Sequence, residues 1–267
     1  MKPLDEVEIS KTIVCTYHER LLDRMASDVI IVGAGPSGLV AGYCLARAGL
    51  KVTVLEKRLA PGGGIWGGGM AMNVAVVQDD AISLLDELGI RCQPRRGNLH
   101  AVDAIELAAG LCWNALQAGV ALFNLMTAED ICLHQDRVRG VVVNRTTVCG
   151  ALPVDPIVCS ARAVLDATGH EAVLVDCLRR RRLLPTAAVE TGEGPMNATA
   201  GERFVIDHAG EIHPGLWLSG MSVSATLGGP RMGPIFGGML LSGKRVAEMI
   251  RAALANAPQS DGAARLS

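Results

Sequence analysis

The most chemically pointed stretch of this chain is Gly33-Ala-Gly-Pro-Ser-Gly38, which follows the apolar run Asp28–Val32 and precedes a helix-patterned stretch ending near Gly49. A strand that turns this sharply into a helix needs Gly33 for the tight turn, Gly35 so that the backbone can approach a pyrophosphate, and Gly38 for close helix–strand packing. The helix N-terminus then faces the phosphates with free N–H groups and a partial positive charge. Eighteen residues beyond Gly38, the run Lys51–Leu55 ends in Glu56, an acid placed to accept hydrogen bonds from an adenosine ribose. Taken singly, the glycines would serve a packing turn and Glu56 a solvated strand end. Strand, glycines, helix, strand and terminal acid together read as a dinucleotide site. The run Arg179–Arg182 reads as a solvated helix face more readily than as a phosphate clasp.

The elements that must position this turn follow from composition. Hydrophobic residues make up 49% of the 267-residue chain but aromatics only 3%, so the core has to be built from Val, Ile, Leu, Ala and Met. That suits buried parallel strands covered by helices. A net charge of −2 and the lack of an extended basic face exclude nucleic acid as a main partner. No apolar run reaches membrane-spanning length and the N-terminus is polar, so no membrane partner and a cytoplasmic location are expected. The eight cysteines form no C-x-x-C pair and are expected as reduced thiols, most of them buried. One domain is expected over residues 1–255, with a disordered tail over 256–267.

Along the chain, apolar positions at helical spacing between Glu6 and Met25 predict an amphipathic helix whose face needs a partner. Pro61–Gly69 carries too little side-chain volume to be core. Helices are expected over Asp79–Leu88, stopping at Gly89, and over Val102–Gln117. Glu129–Asn144 reads as a hairpin turning at Gln135-Asp-Arg137, and Ala163–Thr168 as a strand leading into Gly169-His170. Gly192–Gly201 reads as a flexible loop, Leu216–Gly220 as a last buried strand, and Ile235–Ala255 as the closing helix. The order predicts an α/β fold: a Rossmann-like, three-layer dinucleotide-binding domain with a β-meander insertion. It resembles the two-dinucleotide-binding flavoproteins, except that their last strand typically ends in Gly-Asp, where this one ends in Gly220-Met221.

Three segments carry a closer resemblance: Pro61–Gly69, Val154-Asp-Pro156 with Asp166-Ala-Thr-Gly-His170, and Gly229-Pro-Arg-Met-Gly-Pro-Ile-Phe-Gly-Gly-Met239. In these the chain is similar to the thiamine thiazole synthase family, particularly its archaeal and bacterial branch, from the N-terminal helix to the end of the last helix. The resemblance implies conversion of NAD and glycine, with sulfur, into an ADP-linked 5-(2-hydroxyethyl)-4-methylthiazole-2-carboxylate, an adenylylated thiazole that could stay bound. By position, Ser37, Glu56, Lys57 and Gly64 would hold the dinucleotide, Ala128 would present its backbone near the adenine, and Met221 would line the cleft. Asp155 and His170 match the family's iron ligands, the aspartate coming from a neighbouring subunit, and Arg231 would bind the carboxylate of glycine or its imine.

A carboxylate and an imidazole suit Fe(2+), and a guanidinium pairs bidentately with a carboxylate. As bland alternatives, Asp155 before Pro156 would be a turn residue, His170 a satisfied loop histidine and Arg231 a surface ion pair. The resemblance further implies a homo-octamer with a metal site shared between subunits.

One position departs from the family. Two residues before the Asp155-Pro156 step, where eukaryotic members carry a sulfur-donating cysteine and many archaeal members a histidine, this chain has Pro153. Proline donates no sulfur, so an external source such as sulfide is expected, with Cys149 as the alternative donor. The competing functions are a flavin-dependent oxidoreductase of the same fold and a non-catalytic NAD- or ADP-ribose-binding homologue.

Overall fold

The computed structural model describes residues 3–150, 153–184 and 192–256; most of the expected tail, 257–267, lies outside them. The chain opens with α1 (Glu6–Arg24), capped by the Asp5 carboxylate, which accepts from the amides of Val7 and Glu8. β1 (Ala26–Val32), α2 (Pro36–Arg47) and β2 (Val52–Glu56) follow as one βαβ unit. Next come β3 (Val74–Gln78), α3 (Ile82–Glu87), β4 (Gln93–Pro94), β5 (Leu99–Asp103), α4 (Ala104–Gln117) and β6 (Ala121–Asn124). The meander is β7 (Met126–His134), β8 (Arg137–Arg145) and β9 (Ile157–Asp166). The rest of the fold is α5 (Val173–Arg180), β10 (Gly194–Met196), α6 (Ala198–Asp207), β11 (Gly210–His213), β12 (Leu216–Leu218), α7 (Met221–Leu227), β13 (Pro230–Arg231) and α8 (Gly237–Asn256).

The main sheet has the order β11-β12-β9-β1-β2-β6. Along this path every pairing is parallel except β11 with β12. Strand β9 serves two neighbours on one side: its first half pairs antiparallel with β8 and its second half parallel with β12. The meander is thereby stitched onto the parallel sheet. Helix α2 packs against both α4 and α8, and α5 packs on β7 and β9. This is the α/β, Rossmann-like arrangement with a meander insertion that the residue pattern predicts. The core is aliphatic: Val29, Ile30, Ile31, Val52, Val54 and Leu165 are fully or almost fully buried.

Several boundaries differ from expectation. The helix expected from Val102 starts at Ala104, because Asp103 caps it by accepting from the amides of Ile105 and Glu106, while Val102 pairs within β5. Gly192–Gly201 is not a free loop. It holds β10 and the start of α6, fixed by Gly194 N–H to the Gly229 carbonyl and by the Asn197 side chain capping α6. The glycine-rich Pro61–Gly69 contributes Ile65 to the core, fully buried. Nothing in the pattern announced β3, β4 and β5, a separate antiparallel sheet.

Helix α1 buries none of its residues and leaves Val7, Ile13 and Leu22 more than half exposed. All eight cysteines are unpaired, but only Cys159 and Cys177 are fully buried, fewer than expected. No described helix is long and apolar enough to cross a membrane.

The turn from β1 into α2 is held by contact between backbones. Gly33 has φ +100, and a Cβ on Gly38 would lie 2.0 Å from the Gly33 carbonyl oxygen and 3.2 Å from the Ala167 Cβ. Gly38→Ala should therefore push α2 off β1 and β9, at a cost of roughly 1–3 kcal/mol. The expected outcome is a melting point lowered by several degrees together with weaker dinucleotide binding. An unchanged melting curve would show that the helix can shift at no cost.

Candidate functional site

A cleft of about 660 Å³ opens beyond the carboxyl ends of β1, β2 and β9, where ligands settle in open α/β sheets. Its volume is that of a small-molecule site. One end is built by the βαβ unit. Gly33, Gly35 and Ser37 line it, and no side chain caps the amides at the N-terminus of α2. These amides are available to an anion such as a pyrophosphate. Gly38 does not line the cleft; its work is the close packing described above. The glycine-rich segment lies over the turn, tied by Gly62 N–H to the Ala34 carbonyl at 2.7 Å, and brings Gly64 to the wall.

Glu56 closes β2 as expected and lines the cleft, although only 5% exposed. Its carboxylate accepts from the amides of Ala34 at 2.9 Å and Arg58 at 2.8 Å. The acid is thereby pinned to the glycine turn before any ligand arrives. Ala128 on β7 forms the neighbouring wall, and Met221, the first residue of α7, forms an apolar one. Lys57 reaches across to Glu171 at 2.6 Å.

At the other end stand His170 and Arg231. His170 sits in a single 3₁₀ turn, Gly169–Glu171, and the turn hangs from Asp166. That carboxylate is fully buried and accepts from Thr168 N, Thr168 Oγ1, Leu174 N, Val175 N and Ser222 Oγ. Burial raises its pKa, against the opposing pull of those donors. Arg231 lies in β13, which pairs with β10.

Between the two lies a residue the sequence reading passed over. Glu193 meets His170 Nδ1 through Oε1 at 2.5 Å and Arg231 Nε through Oε2 at 3.3 Å. The only signal in the sequence was an acid between two glycines, Gly192 and Gly194.

Asp155 does not join this group. It is exposed, in the stretch 153–156 that precedes β9, whereas His170 follows the far end of that strand. Ten residues at roughly 3.3 Å each put about 30 Å between them. Among the described residues, no three His, Cys, Asp or Glu side chains converge as a metal site within one chain. His170 nevertheless fits a ligand: a carboxylate on Nδ1 is the usual outer partner of a metal-binding imidazole and leaves Nε2 as the donor.

Residues 10–236 match the model of the Thi4 family. The thiamine thiazole synthase of Methanothermobacter thermautotrophicus is 48% identical over 252 residues, covering 92% of this chain and 97% of that protein. That of Thermotoga maritima is 47% identical over 246 residues, covering 92% and 96%. The crystal structure of Thermovibrio ammonificans THI4 superposes with a TM-score of 0.91 at 44% identity, covering 95% of this chain and all of that one.

The segment that carries Arg231 is anchored by a second buried acid. Glu202 Oε2 accepts from Gly238 N at 2.7 Å at the start of α8, and the Gln78 amide lies beside it. Burial pushes the carboxyl from its ordinary 4.5 up to about 7, against the pull of the Gly238 amide and Gln78. A carboxyl that binds its proton more tightly folded than unfolded stabilises the fold fully below the lower value, and that contribution is lost as pH rises through the higher one. Glu202→Gln removes the titration. The unfolding free energy of this variant minus that of the wild type should climb between about pH 4.5 and 7 and level off above. Urea denaturation across that range checks it, and a flat difference would place the titrating group elsewhere.

Proposed function

The chain belongs to the Thi4 family and is an enzyme of thiamine thiazole formation, and from that premise we propose that it converts NAD, glycine and an external sulfur donor such as sulfide into the ADP-linked thiazole carboxylate, with Fe(2+) at the site. In reaction class it would be a pentosyltransferase. The observation that carries this reading is a single cleft with a phosphate-binding turn at one end and His170 with Arg231 at the other.

In this reading Gly33, Gly35, Ser37 and Gly64 hold the pyrophosphate, Glu56 the adenosine ribose, and Ala128 the adenine edge. Anchoring the ADP portion supplies binding energy remote from the ribose where bonds change. Nicotinamide leaves, the ribose is isomerised to a ketone, glycine condenses with it as an imine, and sulfur addition with loss of water closes the ring. Arg231 holds the glycine carboxylate, and its guanidinium suits a bidentate pair. His170, with Asp155 of a neighbouring copy, would hold iron, which when bound would polarise a carbonyl oxygen or an imine nitrogen and offer a place for sulfide. The distance from Asp155 to His170 within one chain supports a site shared between copies, and the exposed apolar face of α1 supports assembly, to an octamer by family likeness. Met221 and Met232, both buried at the cleft wall, would keep water from the imine. A cytoplasmic location agrees with free cysteines.

External sulfur is supported by Pro153 and by the state of Cys149. Burial, followed by a hydrogen bond with Glu129, raises the pKa of that thiol, which disfavours the thiolate that sulfur transfer needs. Met221, where flavoproteins of this fold place an aspartate, favours no flavin reading.

Anaerobic turnover with NAD, glycine, Fe(2+) and sulfide tests the proposal. Repeated turnover with sulfide, none without it, and an unchanged intact mass are expected, with Cys149→Ala still active. A single turnover without sulfide, accompanied by loss of hydrogen sulfide from Cys149, would contradict it. Arg231→Ala should abolish thiazole formation while NAD affinity stays within about two-fold, because the phosphate turn is untouched. Equal loss of both would contradict the division of roles.

A further inference from the structure

We propose that Glu193 is a positioning residue that joins the two reactive ends of the site, fixing the tautomer of His170 with one carboxylate oxygen and the aim of Arg231 with the other. The geometry is that of a support beneath two working groups. The Glu193 side chain is 11% exposed, whereas His170 and Arg231, which it touches, are 60% and 57% exposed. An ionised carboxylate only accepts hydrogen bonds, so its contact with Nδ1 requires the proton there and leaves the Nε2 lone pair for a metal. The approach to Arg231 is through Nε, which leaves the Nη1–Nη2 edge of the guanidinium for a second carboxylate.

Glu193 owes this position to the backbone. Gly194 and Met196 are in register with Pro230 and Arg231, and the pairing is closed by Gly194 N–H to the Gly229 carbonyl and Asn197 N–H to the Arg231 carbonyl, both at 2.9 Å. The short β10–β13 ribbon therefore sets the acid and the arginine side by side, and the acid then reaches the histidine from the β9 end. An isolated surface ion pair needs no such ribbon and contributes little. One carboxylate shared by the histidine and the arginine makes the amino-acid carboxylate subsite and the metal subsite respond to each other.

The inference rests on the roles proposed above for His170 and Arg231, and its test reads them without turnover. In metal-free protein labelled at the histidine ring nitrogens, at a pH where the ring is neutral, His170 should carry its proton on Nδ1 in the wild type and lose that preference in Glu193→Ala. Glu193→Gln and Glu193→Ala, both expected to fold with near wild-type melting, should bind Fe(2+) about ten- to a hundred-fold more weakly. They should also need several-fold more glycine for half-saturation, with NAD affinity unchanged. In a His170→Ala background, Glu193→Gln should cause no further loss of iron.

Folded Glu193 variants with the wild-type tautomer, iron affinity and glycine requirement would overturn the proposal. Wild-type protein that shows the Nδ1–H tautomer but makes no thiazole would overturn the activity and leave the role of Glu193 standing.

Discussion

The site end of the molecule depends on one buried carboxylate. Asp166 closes β9 where the parallel sheet stops, and its five donors come from three parts of the site's frame: the Thr168 backbone and hydroxyl, two amides in the first turn of α5, and the Ser222 hydroxyl of α7. Taking a carboxylate out of water is costly unless its lone pairs are filled, and here backbone and hydroxyl donors fill them. Because the donors are fixed by the carboxylate, so is the turn that carries His170 and the helix that begins with Met221. Ser222 Oγ also meets Gly169 N at 3.0 Å, which locks the turn from its second side.

The opposite end depends on absent side chains. Aromatic residues are scarce, and the glycines let main chains meet, so that α2 can rest against β1 and against α8. A Cβ on Gly243 of α8 would lie 2.3 Å from the Ser37 carbonyl oxygen. This packing keeps the amides of the α2 N-terminus at the cleft and leaves its floor free of bulk. The two ends thus follow opposite rules: backbone contact for the dinucleotide turn, and buried acids with full donor sets for the reacting end. Glu193 beneath Arg231, with His170 and Arg231 on its two oxygens, extends the second rule to the arginine segment, whereas Glu202 beneath α8 has the Gly238 amide on Oε2 and no donor on Oε1.

Features that depend on neighbours in sequence were legible in advance. The run of strand, glycines, helix, strand and Glu56 is local, and so are the Gln135–Asp136 turn of the hairpin, where both residues take positive φ, and the signature around Arg231. Features that depend on distant pairing were not. Strands β3 and β5 are five residues each, and β3 alternates in burial while its residues, Val74-Ala-Val-Val77, are apolar on both faces, so residue types do not display the alternation. Glu193 sits among glycines and a proline that read as loop, and it gains meaning only once β10 pairs with β13, more than thirty residues later. The resemblance paired Asp155 of one subunit with His170 of another; within one chain the whole of β9 lies between them. That separation is one that no reading of spacing alone could have derived.

The central claim is that one cleft holds a dinucleotide by its glycine turn and a small amino acid by its arginine. It is tested most directly by a crystal structure of the assembled protein soaked anaerobically with ADP-ribose and glycine. The account predicts the pyrophosphate against the amides of Gly35 and Ser37, the adenosine ribose on Glu56, and a glycine or imine carboxylate on Arg231 beside His170. A pyrophosphate bound away from the Gly33–Gly38 turn, or a glycine carboxylate held by any group other than Arg231, would contradict it.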